Sequence, residues 1–270
     1  MPELPEVEIS RRGLLAHLRG RVATCVVVRN AALRYPVSID LAEQIVGRTL
    51  IDIGRRGKYL LLDFGNGQLL IHLGMSGSLR VVDPSVPPAK HDHVDIAFGS
   101  LAMRFHDPRR FGAMLWLGRN AAEHALLRGL GVEPLSDAFD VDYVYRATRQ
   151  RRAAIKLVLM DSHAVVGIGN IYASESLFRA GIRPTRAAHR LTRSQSKRLV
   201  EAVRSTLQDA LRAGGSSLRD FVASDGSPGH FQQQHFVYGR AGEPCRCCGA
   251  LIRSLRQGQR STFYCPTCQR

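Results

Sequence analysis

The chain opens with Met1-Pro2-Glu3-Leu4-Pro5-Glu6-Val7-Glu8. Proline in second place permits removal of the initiator methionine, which leaves a secondary amine at Pro2. An α-amino group has a pKa of roughly 7.7 to 8.0, so part of it is uncharged near pH 7 and can attack an aldehyde-like carbon to form a Schiff base. Glu3 lies beside it as a candidate proton carrier. The same residues also suit a helix start, since proline fits the first turn and acids suit its positive end.

Apolar residues after this opening predict one helix and then an antiparallel sheet. The helix follows Pro5, because apolar residues recur at helical spacing at Val7, Leu14, Leu15 and Leu18. Short apolar runs of strand length come next, at residues 22–28, 59–64, 68–73, 78–82, 94–98, 101–105 and 114–117. Glycine-containing segments at 65–67 and 99–100 lie where hairpin turns belong. We therefore predict an antiparallel β-sandwich or barrel with the helix packed against it.

Helical patterns replace the strands from Ala121 onward, which indicates a second domain. Helices are predicted at residues 153–160, 171–180 and 193–213, and the segment 165–170 joins the first two. The sequence predicts three parts. They are a β-sandwich catalytic domain at residues 1–131, a helical domain at 132–234 and a zinc finger at 235–270. The predicted fold class is therefore α+β.

The charge balance indicates a polyanionic partner. The 270 residues include 38 Lys+Arg against 23 Asp+Glu, a formal net charge of +15, and the pI is near 10.3. This balance is typical of proteins that bind nucleic acid. A membrane-spanning segment would need about 18 consecutive apolar residues, and neither such a run nor a signal peptide is present. We expect a cytoplasmic protein.

The cysteine spacing predicts a metal site. Cys245-x2-Cys248 is followed after 16 residues by Cys265-x2-Cys268. Two such pairs can each span one edge of a tetrahedral Zn²⁺ site, with a β-hairpin between them. Cys247 can compete with a neighbour for the metal, although Cys-x2-Cys geometry favours the outer pair, and a redox pair is the alternative. Four thiolates leave no open coordination position, so we predict one structural zinc ion.

Three segments, two of them basic, suit nucleic acid, and each has a plainer interpretation. Segment 107–112 combines two guanidinium groups with a phenyl ring, for phosphates or base edges and for wedging between bases. The alternative is a buried Phe with two exposed arginines. The hairpin between the cysteine pairs carries Arg253, Arg256 and Arg260, which suit DNA phosphates or a solvated tip. Gly-Ile-Gly-Asn170 precedes a helix whose N-terminus can bind a phosphate, although glycines there serve tight packing as often.

Together these motifs resemble the formamidopyrimidine-DNA glycosylase (Fpg) family, which removes oxidised purines from DNA. The resemblance rests on Pro-Glu-Leu-Pro-Glu at residues 2–6, segment 107–112, the string 167–173 and the four cysteines. It implies an N-terminal β-sandwich with a packed helix, a helix-two-turns-helix domain and a C-terminal zinc finger hairpin, with DNA bound in the cleft between.

The activity that the resemblance implies is a bifunctional DNA glycosylase and AP lyase of base excision repair. The expected partner is double-stranded DNA containing 8-oxoguanine, formamidopyrimidines or abasic sites, with strand cleavage by β,δ-elimination. We expect a monomer associated with the nucleoid through DNA. Neither Mg²⁺ nor a redox cofactor is implied.

The resemblance also implies roles for single residues. Pro2 is expected to be the Schiff-base nucleophile and Glu3 the acid/base in sugar-ring opening. Lys58 is the expected proton donor for β-elimination, and Arg260 is expected to serve δ-elimination and phosphate binding. Six further residues are expected to contact DNA, either at phosphates or in the gap that an everted base leaves: His91, Arg109, Arg151, Asn170, Met75 and Phe111.

Two positions depart from the commonest members of the family. Arg219 stands where a Lys is expected, and His230 stands where a Tyr is expected. Both belong to the loop expected to cover the lesion, so they bear on lesion preference and leave the chemistry intact.

Two rival functions share parts of this pattern. An endonuclease VIII-type enzyme has the same scaffold and prefers oxidised pyrimidines, but Leu4, Met75 and segment 107–111 favour the purine type. A non-catalytic zinc-finger DNA-binding protein is the other rival. The presence of Pro2, Glu3 and Lys58 speaks against it.

Overall fold

The computed structural model describes residues 1–216 and 231–270, and the chain forms two compact units. The first unit comprises residues 1–128 and 213–232. The second comprises residues 129–212 and 233–270.

The first unit combines helices with two antiparallel sheets. Its elements are α1 (Leu4–Leu18), β1 (Cys25–Val28), α2 (Leu41–Ile45), β2 (Asp52–Arg56), β3 (Tyr59–Asp63), β4 (Gln68–His72), β5 (Ser78–Val82), β6 (Asp92–Phe98), β7 (Leu101–His106) and β8 (Ala113–Trp116), with a 3-10 turn at Ala121–Glu123. A further 3-10 turn, Phe231–Gln234, begins in this unit and ends in the next. One sheet has the strand order β1-β6-β7-β5, and the other has the order β2-β3-β4-β8. All neighbours are antiparallel.

Alternating burial along the strands places the core of this unit. Leu60 and Leu62 on β3 are fully buried, whereas Leu61 between them is half-buried, as the two-residue period of a strand requires. Both sheets and α1 contribute side chains to the same apolar cluster: Val7, Leu14, Leu18, Leu60, Leu62, Leu69, Ile71, Val94, Ile96, Met103 and Phe105. The predicted β-sandwich with a packed helix is confirmed.

A buried carboxylate fixes α1 to the second sheet. Glu8 accepts hydrogen bonds from Arg11 (2.9 Å) and Arg12 (2.9 Å) on its own helix and from Nε of Arg55 on β2 (3.1 Å). Arg11 also donates to the carbonyl of Ile53 on β2 at 3.0 Å. Burial alone would raise the pKa of Glu8, but the guanidinium hydrogen bonds outweigh it and lower that pKa from 4.5 to about 2.

The second unit is helical and ends in a hairpin. Its elements are α3 (Val141–Arg149), α4 (Ile155–Leu159), α5 (Asn170–Arg179), α6 (Arg193–Arg212), β9 (Arg253–Gln257) and β10 (Arg260–Tyr264), with a 3-10 turn at Ala188–Arg190. Helix α6 packs against α5 and α3, and its buried Leu199, Val203 and Leu207 recur at four-residue spacing on one face. Helix α5 begins at Asn170, because Gly169 before it is extended and Gly167 takes a left-handed φ of 82°.

Most predicted elements are confirmed, with differences in polar segments. The hairpins at 65–67 and 99–100 pair Asp63 with Gln68 and Phe98 with Leu101. The strand predicted at 22–28 begins only at Cys25, since Val22 makes an isolated bridge to Thr49. Three elements were not predicted: α2, β2 and α3.

The structure within residues 1–216 and 231–270 contains no helix that is both long and apolar enough to cross a membrane.

The pKa of Glu8 predicts how stability depends on pH. A carboxylate whose folded-state pKa is lowered stabilises the fold fully above its unfolded value near 4.5 and loses that contribution as the pH falls to about 2. We expect Glu8→Gln to reduce the free energy of unfolding by on the order of 2 kcal/mol at pH 7, allowing for solvent screening. The difference from wild type should shrink between pH 4.5 and 2. Urea unfolding across this range measures it, and Glu43→Gln, at an exposed position on α2, is the matched control.

A constant difference between the Glu8→Gln and wild-type proteins from pH 7 to pH 2 would contradict this account of the ion cluster.

Candidate active site and metal centre

The N-terminal end of α1 is held by the carboxylate of Glu6. Pro2 and Glu3 are buried, and Glu6 is fully buried. One Glu6 oxygen accepts the backbone N–H of Glu3 at 2.9 Å, and the other accepts the backbone N–H of Ser216 at 2.8 Å. Gly215, at a left-handed φ of 83°, brings the chain close enough for the second bond. The backbone that carries Pro2 and Glu3 is therefore fixed at a defined place.

Lys58 lies in a two-residue turn beside a neutral histidine. Gly57 and Lys58 connect β2 to β3, and Gly57 takes a φ of 57°. The next residue, Tyr59, pairs with His72 across the sheet, with ring centroids 4.9 Å apart. Burial, and then the positive charges of Lys58 and Arg34, lower the pKa of His72 to about 4, so the ring is uncharged near pH 7.

The environment of His72 also sets its tautomer and opens onto a cavity. The backbone N–H of Gly74 donates to Nδ1 at 3.0 Å, so the ring proton is on Nε2. A cavity of about 100 Å³ is lined by Arg34, Tyr35, Tyr59 and His72, together with Ala113 and Leu126. A cation at Lys58 and a neutral N–H donor at His72 thus lie at the same end of the second sheet.

The structure brings the loops of Met75 and Arg109–Phe111 into direct contact. Gly74, at a φ of 62°, approaches so closely that a Cβ there would lie 2.4 Å from the backbone carbon of Phe111. Phe111 is 43% exposed, Arg109 is exposed and Met75 is half-buried. The guanidinium carbon of Arg109 lies 4.8 Å from the centroid of the Phe111 ring, a cation–π distance. A cation, a phenyl ring and a thioether side chain therefore extend from two adjoining loops.

His91 lies beside a buried ionic network. Its ring is 6.3 Å from that of His93 and 6.0 Å from that of His106. Asp92, which is buried, accepts from Arg80 at 2.7 Å and lies 2.8 Å from Nδ1 of His106. The half-buried His91 ring is thus positioned by two histidines that are themselves anchored.

In the second unit, a fully buried lysine joins Asn170 to the hairpin. The ammonium group of Lys156 donates to Oδ1 of Asn170 at 2.6 Å, to Oγ1 of Thr262 at 2.7 Å and to the carbonyl of Ser261 at 3.1 Å. Nδ2 of Asn170 donates to the same carbonyl at 3.0 Å. Because an ammonium group only donates, it requires the amide oxygen of Asn170 to face it. Arg260 lies next to Ser261 at the start of β10 and is exposed.

Arg151 forms an ion pair with Asp161 in the same unit. Its guanidinium is 2.6 Å from Oδ2 of Asp161, and its side chain is 36% exposed. The ion pair fixes the side chain and leaves part of the guanidinium accessible.

The four predicted cysteines form the metal site. Their Sγ atoms lie within 4.8 Å of one another, with Cys248 and Cys265 at 3.4 Å and Cys245 and Cys268 at 3.9 Å. Burial raises the pKa of the Cys245 thiol, but hydrogen bonds from the backbone N–H groups of Cys247 and Cys248 and from the side chains of Cys265 and Cys248 together outweigh it and lower that pKa to about 7. Donors of this kind stabilise thiolates, as a zinc site requires. The residues fit one tetrahedral zinc ion, and among the described residues no other group of three or more His, Cys, Asp or Glu side chains is placed to hold a metal.

Comparison with known families accounts for most of the chain. The Formamidopyrimidine-DNA glycosylase N-terminal domain matches residues 1–114, and the Formamidopyrimidine-DNA glycosylase H2TH domain matches residues 130–222. The zinc finger found in FPG and IleRS matches residues 242–270. A β-sandwich, an H2TH domain and a four-cysteine zinc finger define a class of zinc-containing DNA glycosylases.

Individual relatives agree over their full lengths. A formamidopyrimidine-DNA glycosylase of Thioalkalivibrio sulfidiphilus is 57% identical over 271 residues, which cover 100% of both chains. The crystal structure of the MutM (Fpg) protein from Thermus thermophilus is 39% identical, with a TM-score of 0.90 over 99% of this chain and 98% of that one. A Lactococcus lactis Fpg mutant in complex with Fapy-dG-containing DNA is 33% identical, with a TM-score of 0.93 over 100% of both chains. The chain belongs to the formamidopyrimidine-DNA glycosylase family.

Sequence reasoning gave no role to His72, which lies beside Lys58 in the first unit, or to Lys156, which binds Asn170 in the second. His72 ends an apolar strand, and Lys156 interrupts the apolar run Ala154–Leu159. The lone cation within that run was the available signal for Lys156, since a buried lysine needs several acceptors. The two unusual positions in the predicted lesion-covering loop, Arg219 and His230, lie outside the described residues.

The metal site predicts opposite outcomes for two neighbouring cysteines. We expect the wild-type protein to contain one equivalent of zinc and Cys248→Ser to lose most of it, because three thiolates bind zinc more weakly than four. Cys247→Ser should keep the full equivalent, since Cys247 is outside the cluster. Metal analysis measures zinc, and a DNA-binding titration measures its consequence.

Wild-type protein without zinc, or Cys248→Ser with undiminished zinc and DNA affinity, would refute this assignment.

Proposed function

We propose that the protein is a bifunctional DNA glycosylase and AP lyase that excises 8-oxoguanine and formamidopyrimidines and then cleaves the abasic strand by β,δ-elimination. The observation that carries the proposal is the full-length family match, which includes a relative bound to Fapy-dG DNA, in a chain that keeps Pro2, Glu3 and Lys58. The net charge of +15 supports a DNA partner.

The first chemical step forms the covalent intermediate. Removal of Met1 exposes the Pro2 amine, whose lone pair attacks C1′ of the damaged nucleotide. The N-glycosidic bond breaks, and the base leaves with the bonding electrons and takes up the proton that the Pro2 nitrogen loses. Glu3 donates a proton to the sugar-ring oxygen as the ring opens, which gives a Schiff base between Pro2 and C1′. The Glu6 carboxylate supports this step by fixing the backbone at Glu3.

The elimination steps then cleave the strand. In β-elimination a C2′ proton passes to water, a C2′–C3′ double bond forms, and the 3′ phosphate leaves with the C3′–O electrons and accepts a proton from Lys58. Loss of a further sugar proton expels the 5′ phosphate, with Arg260 binding the phosphate and balancing its charge in δ-elimination. Hydrolysis of the Schiff base restores the Pro2 amine. Zinc holds the finger that carries Arg260, and four thiolates give it no part in these steps.

DNA recognition is assigned to six further residues. Asn170 binds the phosphate of the lesion nucleotide: Lys156 turns its amide oxygen inward, and one Nδ2 hydrogen is left for the phosphate beyond the one given to Ser261. His91 and Arg151 contact the backbone. Three residues fill the gap left by the everted base: Met75, Arg109 and Phe111.

The remaining parts of the proposal concern organisation. We assign residues 1–131 to the catalytic domain, 132–234 to the helix-two-turns-helix domain and 235–270 to the zinc finger. The protein acts as a monomer in the cytoplasm and associates with the nucleoid through DNA.

The nucleophile assignment predicts where DNA becomes attached. Borohydride reduces a Schiff base to a stable amine, so it should trap the wild-type protein on a duplex with 8-oxoguanine opposite cytosine. Peptide mass spectrometry should find the adduct on Pro2 and should find Met1 absent. A duplex with dihydrouracil in place of 8-oxoguanine is the control for the pyrimidine-specific rival, and it should give little trapping.

An adduct on an internal lysine would refute the assignment. Preferential trapping on dihydrouracil would favour the endonuclease VIII type, and binding without cleavage or trapping would favour a non-catalytic protein.

Arg109 is predicted to recognise the base opposite the lesion. A guanidinium group only donates, so it suits cytosine, whose O2 and N3 accept, better than adenine, which presents a donor on its pairing edge. One good polar contact discriminates by roughly 1–3 kcal/mol, which corresponds to a preference of about tenfold or more. Arg109→Ala should lower excision of 8-oxoguanine opposite cytosine and flatten the preference in single-turnover kinetics.

Phe111→Ala is the matched control, because a phenyl ring fills the gap without reading a base edge. It should slow excision opposite either base by a similar factor. An Arg109→Ala enzyme with its full cytosine preference would restrict Arg109 to phosphate contact.

A further inference from the structure

Asp107 is a buried carboxylate between the two loops that extend Met75 and Arg109. Its residue is 0% exposed and follows β7 directly. Oδ1 accepts the hydroxyl of Ser76 at 3.0 Å and the backbone N–H of Arg109 at 3.3 Å. Oδ2 accepts the backbone N–H of Gly112 at 2.8 Å. One side chain therefore binds both the 73–77 loop and the two ends of the segment that carries Arg109.

The backbone of Asp107 connects the same segment to β6. Its N–H donates to the carbonyl of His91 at 3.0 Å. Its carbonyl accepts the backbone N–H of Arg110 at 3.2 Å and lies 2.8 Å from Nε2 of His93, which therefore carries its proton there. Asp107 is thus fixed by the sheet before it fixes the loops.

The segment after Asp107 is strained and tightly fitted. Arg110 has a φ of 56°, and within residues 1–216 and 231–270 it is the one non-glycine residue in the left-handed region. A Cβ on Gly112 would lie 2.6 Å from the Phe105 ring and 2.8 Å from the carbonyl of His72. Such a backbone persists only where surrounding bonds over-determine it. The Asp107 carboxylate supplies those bonds at Arg109 and Gly112.

We infer that Asp107 is a positioning residue that couples the two loops, so that Met75 and Arg109 enter the DNA as one rigid unit, and that it thereby sets the preference for the base opposite the lesion. The inference rests on the proposed function of Arg109. Asp107 lies buried behind the loops and acts through Arg109.

The donor pattern requires a carboxylate at this position. Each Asp107 oxygen receives at least one N–H, so an amide of the same shape must turn its own NH₂ toward a donor. In one orientation the amide of the Asp107→Asn variant loses the bond from Gly112, and in the other it loses the bond from Arg109. A buried N–H without an acceptor is unfavourable, so the loop shifts away from its strained conformation.

The experiment compares Asp107→Asn and Ser76→Ala with wild type in three measurements. They are single-turnover excision of 8-oxoguanine opposite cytosine and opposite adenine, cleavage of an abasic site in a single-stranded oligonucleotide, and thermal unfolding. The single-stranded substrate has no opposite base and no stacked gap, so it tests the chemistry alone. Asp63→Asn is the control, because Asp63 accepts the N–H of Gly65 in the β3–β4 turn.

We expect Asp107→Asn to lower the cytosine-over-adenine ratio by about fivefold or more, the effect of leaving one buried donor unsatisfied. Ser76→Ala should lower it by less, because Arg109 and Gly112 keep their acceptor. Both variants should cleave the single-stranded abasic site at the wild-type rate, and Asp63→Asn should match wild type throughout. A double variant that carries both Asp107→Asn and Ser76→Ala should lower the cytosine-over-adenine ratio by less than the two single effects combined, since both substitutions act on the same hydrogen bond.

A wild-type ratio in Asp107→Asn, while Arg109→Ala loses the preference, overturns this inference alone. The inference is also overturned if Asp107→Asn lowers excision opposite cytosine, excision opposite adenine and abasic-site cleavage by the same factor and lowers the melting temperature. Asp107 would then serve only the fold. If Asp107→Asn does not fold, an unchanged ratio in Ser76→Ala overturns the inference. A wild-type enzyme without any cytosine preference overturns the proposed function of Arg109, and with it this inference.

Discussion

The first unit depends on the ion cluster around Glu8, because it fixes α1 against β2. Three guanidinium groups converge on one carboxylate that is 11% exposed, and this geometry offsets the desolvation of the charges. The cluster holds the first turn of α1 in a fixed position against the sheet. Glu6 holds the backbone of that turn as well, through its hydrogen bonds from the N–H groups of Glu3 and Ser216. A nucleophile at the end of a chain has no flanking residue on one side, so its position must come entirely from bonds of this kind. For Pro2, the proposed nucleophile, the anchored first turn of α1 supplies these bonds.

Much of the architecture could be predicted from the sequence because its signals are local. Short apolar runs predicted β3 and β4, glycines predicted the hairpin turns, and cysteine spacing predicted the zinc ligands. Strand β2, with the sequence Asp-Ile-Gly-Arg-Arg, lacks such a signal, since Ile53 is its one fully buried residue. It forms a strand because β3 pairs with it, and a partner supplied by the fold is invisible in a short window.

The buried polar contacts could not be predicted for a related reason. Lys156 meets acceptors that lie 105 and 106 residues away in sequence, and Asp107 meets Ser76 at a separation of 31 residues. A sequence pattern shows that a polar residue lies within an apolar run. The hydrogen-bond partners that allow this residue to be buried are brought together only by the tertiary structure. The roles of Pro2, Glu3 and the DNA-contacting residues were inferred from family motifs, because no single local pattern distinguishes a catalytic proline from a helix-starting one.

The bond from Lys156 to the hairpin makes the finger and the start of α5 one cooperative element. Ser261 and Thr262 supply two of the three acceptors described for that ammonium group. If the hairpin opens, a fully buried cation loses them and Asn170 loses the group that orients its amide. The hairpin that the four cysteines would hold together on binding zinc therefore also supports the amide of Asn170, which lies outside the metal site. The orientation of the Asn170 amide thus depends on a hairpin that is flanked by the four cysteines of the metal site.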